Sequence, residues 1–152
     1  MEVTIKLADL TNPSHAQAIL DITNAYALDK MGGGKPLSKF VWENLIEGLK
    51  SFSGTRIFLA FDGDEAVGLA NCFLGFSTFY AKQLINIHDL AVMPAYRGKG
   101  IGQSLLNAVA DYAKEHDFCK VTLEVLEHNP AKKLYERSGF ESPYLFMNKV
   151  IE

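Results

Sequence analysis

Tyr96-Arg97-Gly98-Lys99-Gly100-Ile101-Gly102 stands where a strand-like run, Ile85 to Val92, gives way to helical spacing over Ile101 to His116. Glycines at every second position let a backbone approach a ligand closely and adopt conformations that a Cβ forbids. The first turn of the helix that follows leaves N–H groups unpaired at the positive end of its dipole. A strand, a glycine turn and a helix start therefore predict an anion site, most often for phosphate. Arg97 and Lys99 add cationic donors beside it. The dinucleotide fingerprint Gly-x-Gly-x-x-Gly is absent, and Lys99 is followed by Gly100 rather than the Ser or Thr of a nucleotide P-loop. What remains is Arg-x-x-Gly-x-Gly, carried by Arg97, Gly100 and Gly102. A glycine-rich connection without a ligand is the plainer alternative.

Outward from this loop, the remaining pattern predicts alternating strands and helices. Val3 to Leu7 reads as a strand, and Asn12-Pro13-Ser14 as a helix start with Ala18, Ile19, Ile22, Ala25 and Tyr26 at helical spacing. Met31-Gly32-Gly33-Gly34-Lys35-Pro36 breaks that helix, and Ser38 caps a second one carrying Phe40, Val41, Leu45 and Leu49. Arg56 to Phe61 and Ala66 to Phe76 form a hairpin through Asp62-Gly63-Asp64. Ile85 to Val92 reads as a strand covered on both faces. Then come the helix to His116, a strand Val121 to Leu126, a short helix Ala131 to Ser138 and a last strand Leu145 to Val150. The expected order is β-α-α-β-β-β-α-β-α-β, a mixed α/β sheet with helices on both faces.

Composition sets the bounds. A chain of 152 residues, 48% apolar and 22% charged, suits one domain over residues 1–152 with its own core. Met1-Glu2-Val3-Thr4-Ile5-Lys6 lacks the basic head and apolar run of a secretory signal, and no segment has the length of a membrane span, so a cytoplasmic location is expected. Two cysteines, Cys72 and Cys119, lack metal-ligand or redox spacing, and no metal is expected. Residues 1–76 hold nine acids and six bases, while residues 77–152 hold nine of each. No basic face suited to nucleic acid emerges.

A second motif lies further along, Asn129-Pro130-Ala131-Lys132-Lys133-Leu134-Tyr135-Glu136-Arg137-Ser138-Gly139-Phe140. With Leu90-Ala91-Val92-Met93-Pro94-Ala95-Tyr96 before the glycine loop, it resembles the GNAT N-acetyltransferases, strongly over Ala66 to Phe140 and by pattern alone before that. The resemblance implies the GNAT fold, with its mostly antiparallel mixed sheet, and acetyl-CoA as co-substrate. It implies transfer of an acetyl group to a primary amine by direct attack in a ternary complex. The backbone of Leu90, Ala91 and Val92 would pair with the pantetheine arm, and Arg97 through Gln103 (Gly98, Lys99, Gly100, Ile101 and Gly102 between them) would hold the pyrophosphate. Asn129 and Lys132 would also face the cofactor. Here Pro130 alone separates Asn129 from Ala131, a shorter spacer than in many relatives, which loosens the expectation for Asn129. Lys132 and Lys133 would reach toward the adenosine phosphates, although a solvated helix face is the plainer account of both.

Acetyl transfer to an amine needs a proton removed from an ammonium of pKa about 10.4 and another returned to the departing sulfur. Family members that resemble this chain place a tyrosine at Tyr135 as that acid; a packing role is its alternative. The stretch around Ile87-His88-Asp89-Leu90 is similar to the diamine and polyamine acetyltransferase branch, which has a Glu-Asp pair where this chain has His88 and Asp89. His88, with an ordinary pKa of about 6.5, suits a base near neutrality, or is a structural histidine. Asp89 is expected to be structural or to orient substrate; in a regular strand it faces away from His88, and the bulge common near this point in the family would change that. Tyr26, Asp29, the Gly32-Gly33-Gly34 loop and Trp42 fall where this fold builds an acceptor site. The acceptor is expected to be a small molecule. The rivals are a protein N-acetyltransferase and a non-catalytic acyl-CoA sensor. The apolar tail Tyr144-Leu145-Phe146-Met147 permits a homodimer.

Overall fold

The computed structural model describes residues 2–151. Five strands make one sheet in the order β1-β2-β3-β4-β5: β1 Val3–Leu7, β2 Thr55–Asp62, β3 Glu65–Ser77, β4 Lys82–Val92 and β5 Val121–Leu123. Neighbours are antiparallel except β4 and β5, which run parallel. The helices are α1 Pro13–Leu28, α2 Lys39–Ser51, α3 Ile101–Glu115 and α4 Lys132–Arg137.

The helix starts follow from local chemistry. Asn12 accepts the backbone N–H groups of Ser14 (2.9 Å) and His15 (3.4 Å) ahead of Pro13, whose missing N–H is no loss in a first turn. Ser38 does the same for Val41 at 3.2 Å. The apolar stripe of α3, Ile101, Leu105, Leu106, Val109 and Ala113, packs on one face of the sheet against Phe58, Ala60, Val67, Ala70, Cys72, Ile85 and Ile87. On the other face, Ile19 and Ile22 of α1 and Leu49 of α2 meet Ile57, Leu59, Phe61, Leu69 and Ala91. Burying one such side chain fully contributes about 1.5–3 kcal/mol, so these two layers hold the elements in place. α3 approaches β3 closely at Gly68, where a Cβ would lie 3.1 Å from the Ala91 carbonyl oxygen and 3.3 Å from Ile101. Among the described residues no helix is long and apolar enough to cross a membrane.

Three expectations fail. Residues 145–150 form no strand: the described residues beyond Arg137 include no helix or strand, and Leu145, Met147 and Val150 are exposed. The apolar run Leu145-Phe146-Met147 suits a pleated surface, but a strand exists only where a neighbouring edge supplies ladder bonds. The strand expected to reach Leu126 stops at Leu123, because its pairing with β4 ends at Ile87 opposite Leu123. β4 is also not covered on both faces throughout, since the His88 side chain is 63% exposed.

Leu105 is fully buried between α3 and the sheet. Leu105→Ala should lower the unfolding free energy by about 2–5 kcal/mol through lost transfer energy and a residual cavity. Urea denaturation followed by circular dichroism reads this directly.

Candidate active site

The site begins at an irregularity in β4. Asp89 pairs with Asn71 and Ile87 with the next residue, Cys72, so His88 is an extra residue without a partner on β3. One inserted residue reverses the facing of everything beyond it. Ile85 and Ile87 face α3, and so do Leu90 and Val92, while Asp89 and Ala91 turn to the α1 side. His88 also lies on that side, edge-on to Phe73 at 5.9 Å. The bulge thus sets His88 and Asp89 side by side, Nδ1 to Oδ1 at 3.5 Å, rather than on opposite faces.

Where the β4–β5 pairing ends, the two strands part, and a cavity of ≈190 Å³ opens. Ile87, His88 and Leu90 line it from β4, and Leu123, Glu124, Val125 and Leu126 from β5 and its continuation. Tyr26 comes from α1, Tyr135 from α4, Asn129 from the preceding turn, Met31 from the segment after α1 and Phe146 from the C-terminal chain. A larger depression of ≈510 Å³, lined by Phe52, Arg56, Leu74 and Phe76 among others, shares none of these residues. Its Arg56 is already bonded to Tyr112, Ser53 and Thr55.

The environment moves the titrations. A hydrogen bond to Asp89 raises the His88 pKa above its ordinary value, against partial burial, with the charges of Asp89 and Glu124 adding. Burial pushes the Tyr135 phenol up to about 12, and Tyr26 adds to the shift. Tyr26 is raised by burial, then by Asp89 and Asp29. Near neutrality both phenols therefore keep their protons.

Beside the cavity lies the glycine loop. Gly98 and Gly100 have φ of 75° and 82°, the left-handed region that glycine tolerates best. Gly102 lies inside α3, as the expected helix bounds put it, but it lacks the left-handed φ of the other two, and a Cβ there would make an ordinary 3.4 Å contact with Leu134. Gly100 is the N-cap of α3 and offers no side chain to the first turn, whose first helical bond is Ser104 N–H to Gly100. The N–H groups of Ile101, Gly102 and Gln103 have no place in that ladder. The Gln103 side chain ties α3 to α4, accepting from Ser138 at 3.1 Å and donating to Asn107 at 2.9 Å. Lys99 sits 6.0 Å over the Tyr96 ring.

Arg97 joins this loop to the acceptor side. Its Nε donates to the Val92 carbonyl at 3.2 Å, and its terminal nitrogen meets Asp29 at 3.2 Å. Asp29 accepts the Met31 N–H at 3.0 Å, which holds its carboxyl below the usual range, and Arg97 adds to this. Asp29 thus fastens the segment after α1 and does not line the cavity. Further bonds, from Gly32 and Gly34 to Asp29 and from Lys35 to Ala27, fasten the triple-glycine loop to the end of α1. A Cβ on Gly32 would fall 2.0 Å from the Tyr26 carbonyl oxygen, so the chain passes there only as glycine. Trp42 and Lys132 do not line the cavity, and Ala91 lies in the core on the α1 side. Asn129 closes its own turn, accepting the Ala131 N–H at 2.9 Å.

Sequence reasoning passed over Met31, Glu124, Phe146 and Asn71. Only Asn71 carried a signal, as a lone amide in an apolar strand.

Comparison with known proteins agrees with this architecture. The model of the acetyltransferase (GNAT) family matches residues 19–140. An uncharacterized N-acetyltransferase, YhfO of Bacillus subtilis (strain 168), is 34% identical over 93 residues, 60% of this chain and 62% of that protein. Streptothricin acetyltransferase of Streptomyces lavendulae is 33% identical over 130 residues, 80% of this chain and 66% of that protein. The chain thus spans just under two thirds of each. A solved structure, a putative acetyl transferase from Pyrococcus furiosus, superposes with a TM-score of 0.74 at 29% identity, covering 99% of this chain and 100% of the other. The chain belongs to the acetyltransferase (GNAT) family.

Proposed function

We propose that this protein transfers an acetyl group from acetyl-CoA to a primary amine of a small molecule, by direct attack with both reactants bound. One observation carries the reading. His88 and Tyr135 line a single cavity at the point where β4 and β5 part, and an uncapped glycine loop flanks the same end of β4.

The residues present fit the cofactor. Left-handed Gly98 and Gly100, with the open N–H groups of Ile101, Gly102 and Gln103, suit a pyrophosphate. Arg97 and Lys99 supply positive charge, and Lys132 would lie toward the adenosine end. Beyond Ile87 the β4 edge has no strand beside it, so the backbone of Leu90, Ala91 and Val92 can serve as a ladder for the amide-bearing pantetheine arm. Asn129 lines the cavity next to it. Acetyl-CoA, when bound, supplies the acetyl group as an activated thioester.

The chain's own groups then have distinct tasks. With Nδ1 held toward Asp89, His88 keeps Nε2 as the basic atom that takes a proton from the acceptor ammonium. Tyr135, with its pKa pushed up to about 12, holds a proton at its hydroxyl for the departing sulfur. Asp89 and Glu124, whose charges act on His88, make the acceptor side acidic, which favours a cationic amine. Asp29 shapes this side through the segment it fastens. The small-molecule reading rests on the similarity to streptothricin acetyltransferase and on Phe146 and Met31, which narrow the cavity.

Acetyl-CoA-dependent thiol release should occur with one chemical class in a panel running from polyamines and amino acids to aminoglycosides and short peptides. Release with peptides alone would sink the small-molecule reading, and none anywhere, with cofactor binding intact by calorimetry, would sink catalysis. With the acceptor in hand, Tyr135→Phe should lower kcat by about 10²-fold or more and leave cofactor affinity unchanged. A base must be neutral to act, so kcat/KM should fall as pH drops through the raised His88 pKa, with a midpoint above about 6.5. His88→Gln should abolish that acid limb in a stopped-flow pH series.

A further inference from the structure

Asn71 is the only amide in β3, and it is 5% exposed. Its Nδ2 donates to Asp89 Oδ2 at 2.9 Å and to Thr23 Oγ1 of α1 at 3.2 Å. Its Oδ1 is enclosed and has no partner. Leaving a buried acceptor unpaired costs about 1–3 kcal/mol. Turning the amide over would set its oxygen against the Asp89 carboxylate, acceptor to acceptor, so the carboxylate fixes the orientation. Leucine, of similar shape, would fill the space and remove the unpaired Oδ1, but it would strip Asp89 Oδ2 and Thr23 Oγ1 of their donor. Packing alone therefore does not account for an amide here. The bonds it makes do.

Asp89 has two oxygens, and the structure divides them. Asn71 holds Oδ2, and the other oxygen, Oδ1, faces His88 Nδ1 at 3.5 Å. The bulge at His88 makes this division possible, because it turns Asp89 to the side where Asn71 and Thr23 wait.

We propose that Asn71 is a positioning residue for His88: it pins one oxygen of Asp89 so that the other stays turned toward the imidazole, setting the ring's tautomer and its orientation in the cavity. The chain Thr23–Asn71–Asp89–His88 runs from α1 to the cavity wall. This rests on the reading of His88 as the base. The titratable groups around the imidazole are Asp89 on its own strand, Glu124 after β5, Tyr26 of α1 and Tyr135 of α4; the Cys72 thiol of β3 lies on the opposite face, in the α3 core. Asp29, past the end of α1, is paired with Arg97. No Lys or Arg lines the cavity. Asp89 is thus the nearest charge to His88, and the group that fixes Asp89 governs the histidine.

The test is an NMR titration of the His88 imidazole in the full chain, assigned by its loss in His88→Gln, alongside the pH dependence of kcat/KM. Asp89→Asn should lower the His88 midpoint by on the order of one pH unit. Asn71→Leu should produce half of that fall or more, and its acid limb in kcat/KM should move down with it. If Leu at this position prevents folding, Asn71→Ser is the second variant, since its shorter hydroxyl falls short of Asp89. An unmoved His88 midpoint overturns the proposal, even where the melting temperature falls, because that pattern belongs to packing alone. A midpoint that falls without any change in the rate profile upholds the positioning by Asn71 and overturns the base reading instead.

Discussion

A pleated strand offers alternate residues to opposite faces, and one inserted residue exchanges the faces for all that follow. In β4 that residue is His88, and much of the site depends on it. Before it, Ile85 and Ile87 serve the α3 layer; after it, Ala91 joins the α1 layer while Leu90 and Val92 take over on the α3 side. The parallel pairing with β5 also ends at Ile87, so β4 runs on toward the glycine loop with one edge open. Polar groups thus gather along one stretch of an apolar sheet, from Asn71 enclosed under α1 to His88, which is left exposed. A straight β4 would have sent the Asp89 carboxylate into the α3 core, where burial of an unpaired charge is prohibitive.

Some of this was readable from local chemistry and some was not. The α3 stripe, the caps at Asn12 and Ser38 and the break after α1 each follow from a few neighbouring residues, and they appear where the pattern puts them. The glycine loop was equally plain, though Gly102 shares only the spelling of the motif and not its conformation. The bulge was open in the sequence, raised by the family resemblance and undecided by local pattern. Ile-Asn-Ile-His-Asp-Leu spells a strand in either phase, and the choice is made by Asn71 and Thr23, which are distant in sequence. The C-terminal residues misled for the converse reason, since an apolar run becomes a strand only beside a partner edge that no local pattern can supply. Met31 and Phe146 reach the cavity only through the tertiary path of loops, and their own neighbours in sequence give no sign of it.

The two halves of the site are mechanically joined. Arg97 belongs to the glycine loop by sequence, yet its guanidinium bridges the end of β4 and the end of α1. Gln103 and Ser138 make a similar tie between the starts of α3 and the end of α4, which carries Tyr135. Such polar links are modest one by one. Their value lies in spanning elements that share little apolar contact, so that the cofactor side and the acceptor side keep a common frame.

Met31 and Gly32 are adjacent and have opposite duties. Met31 contributes a long, adaptable side chain to the cavity mouth. Gly32 contributes nothing to the mouth, but its backbone presses on the Tyr26 carbonyl so closely that no methyl group fits. The aperture of the cavity and the route of the chain around it are thus controlled by separate residues. Exchanging Met31 for a shorter or longer side chain resizes the opening and leaves the loop's course alone, whereas a single carbon added at the next residue must displace the last turn of α1 and carry the Tyr26 phenol with it.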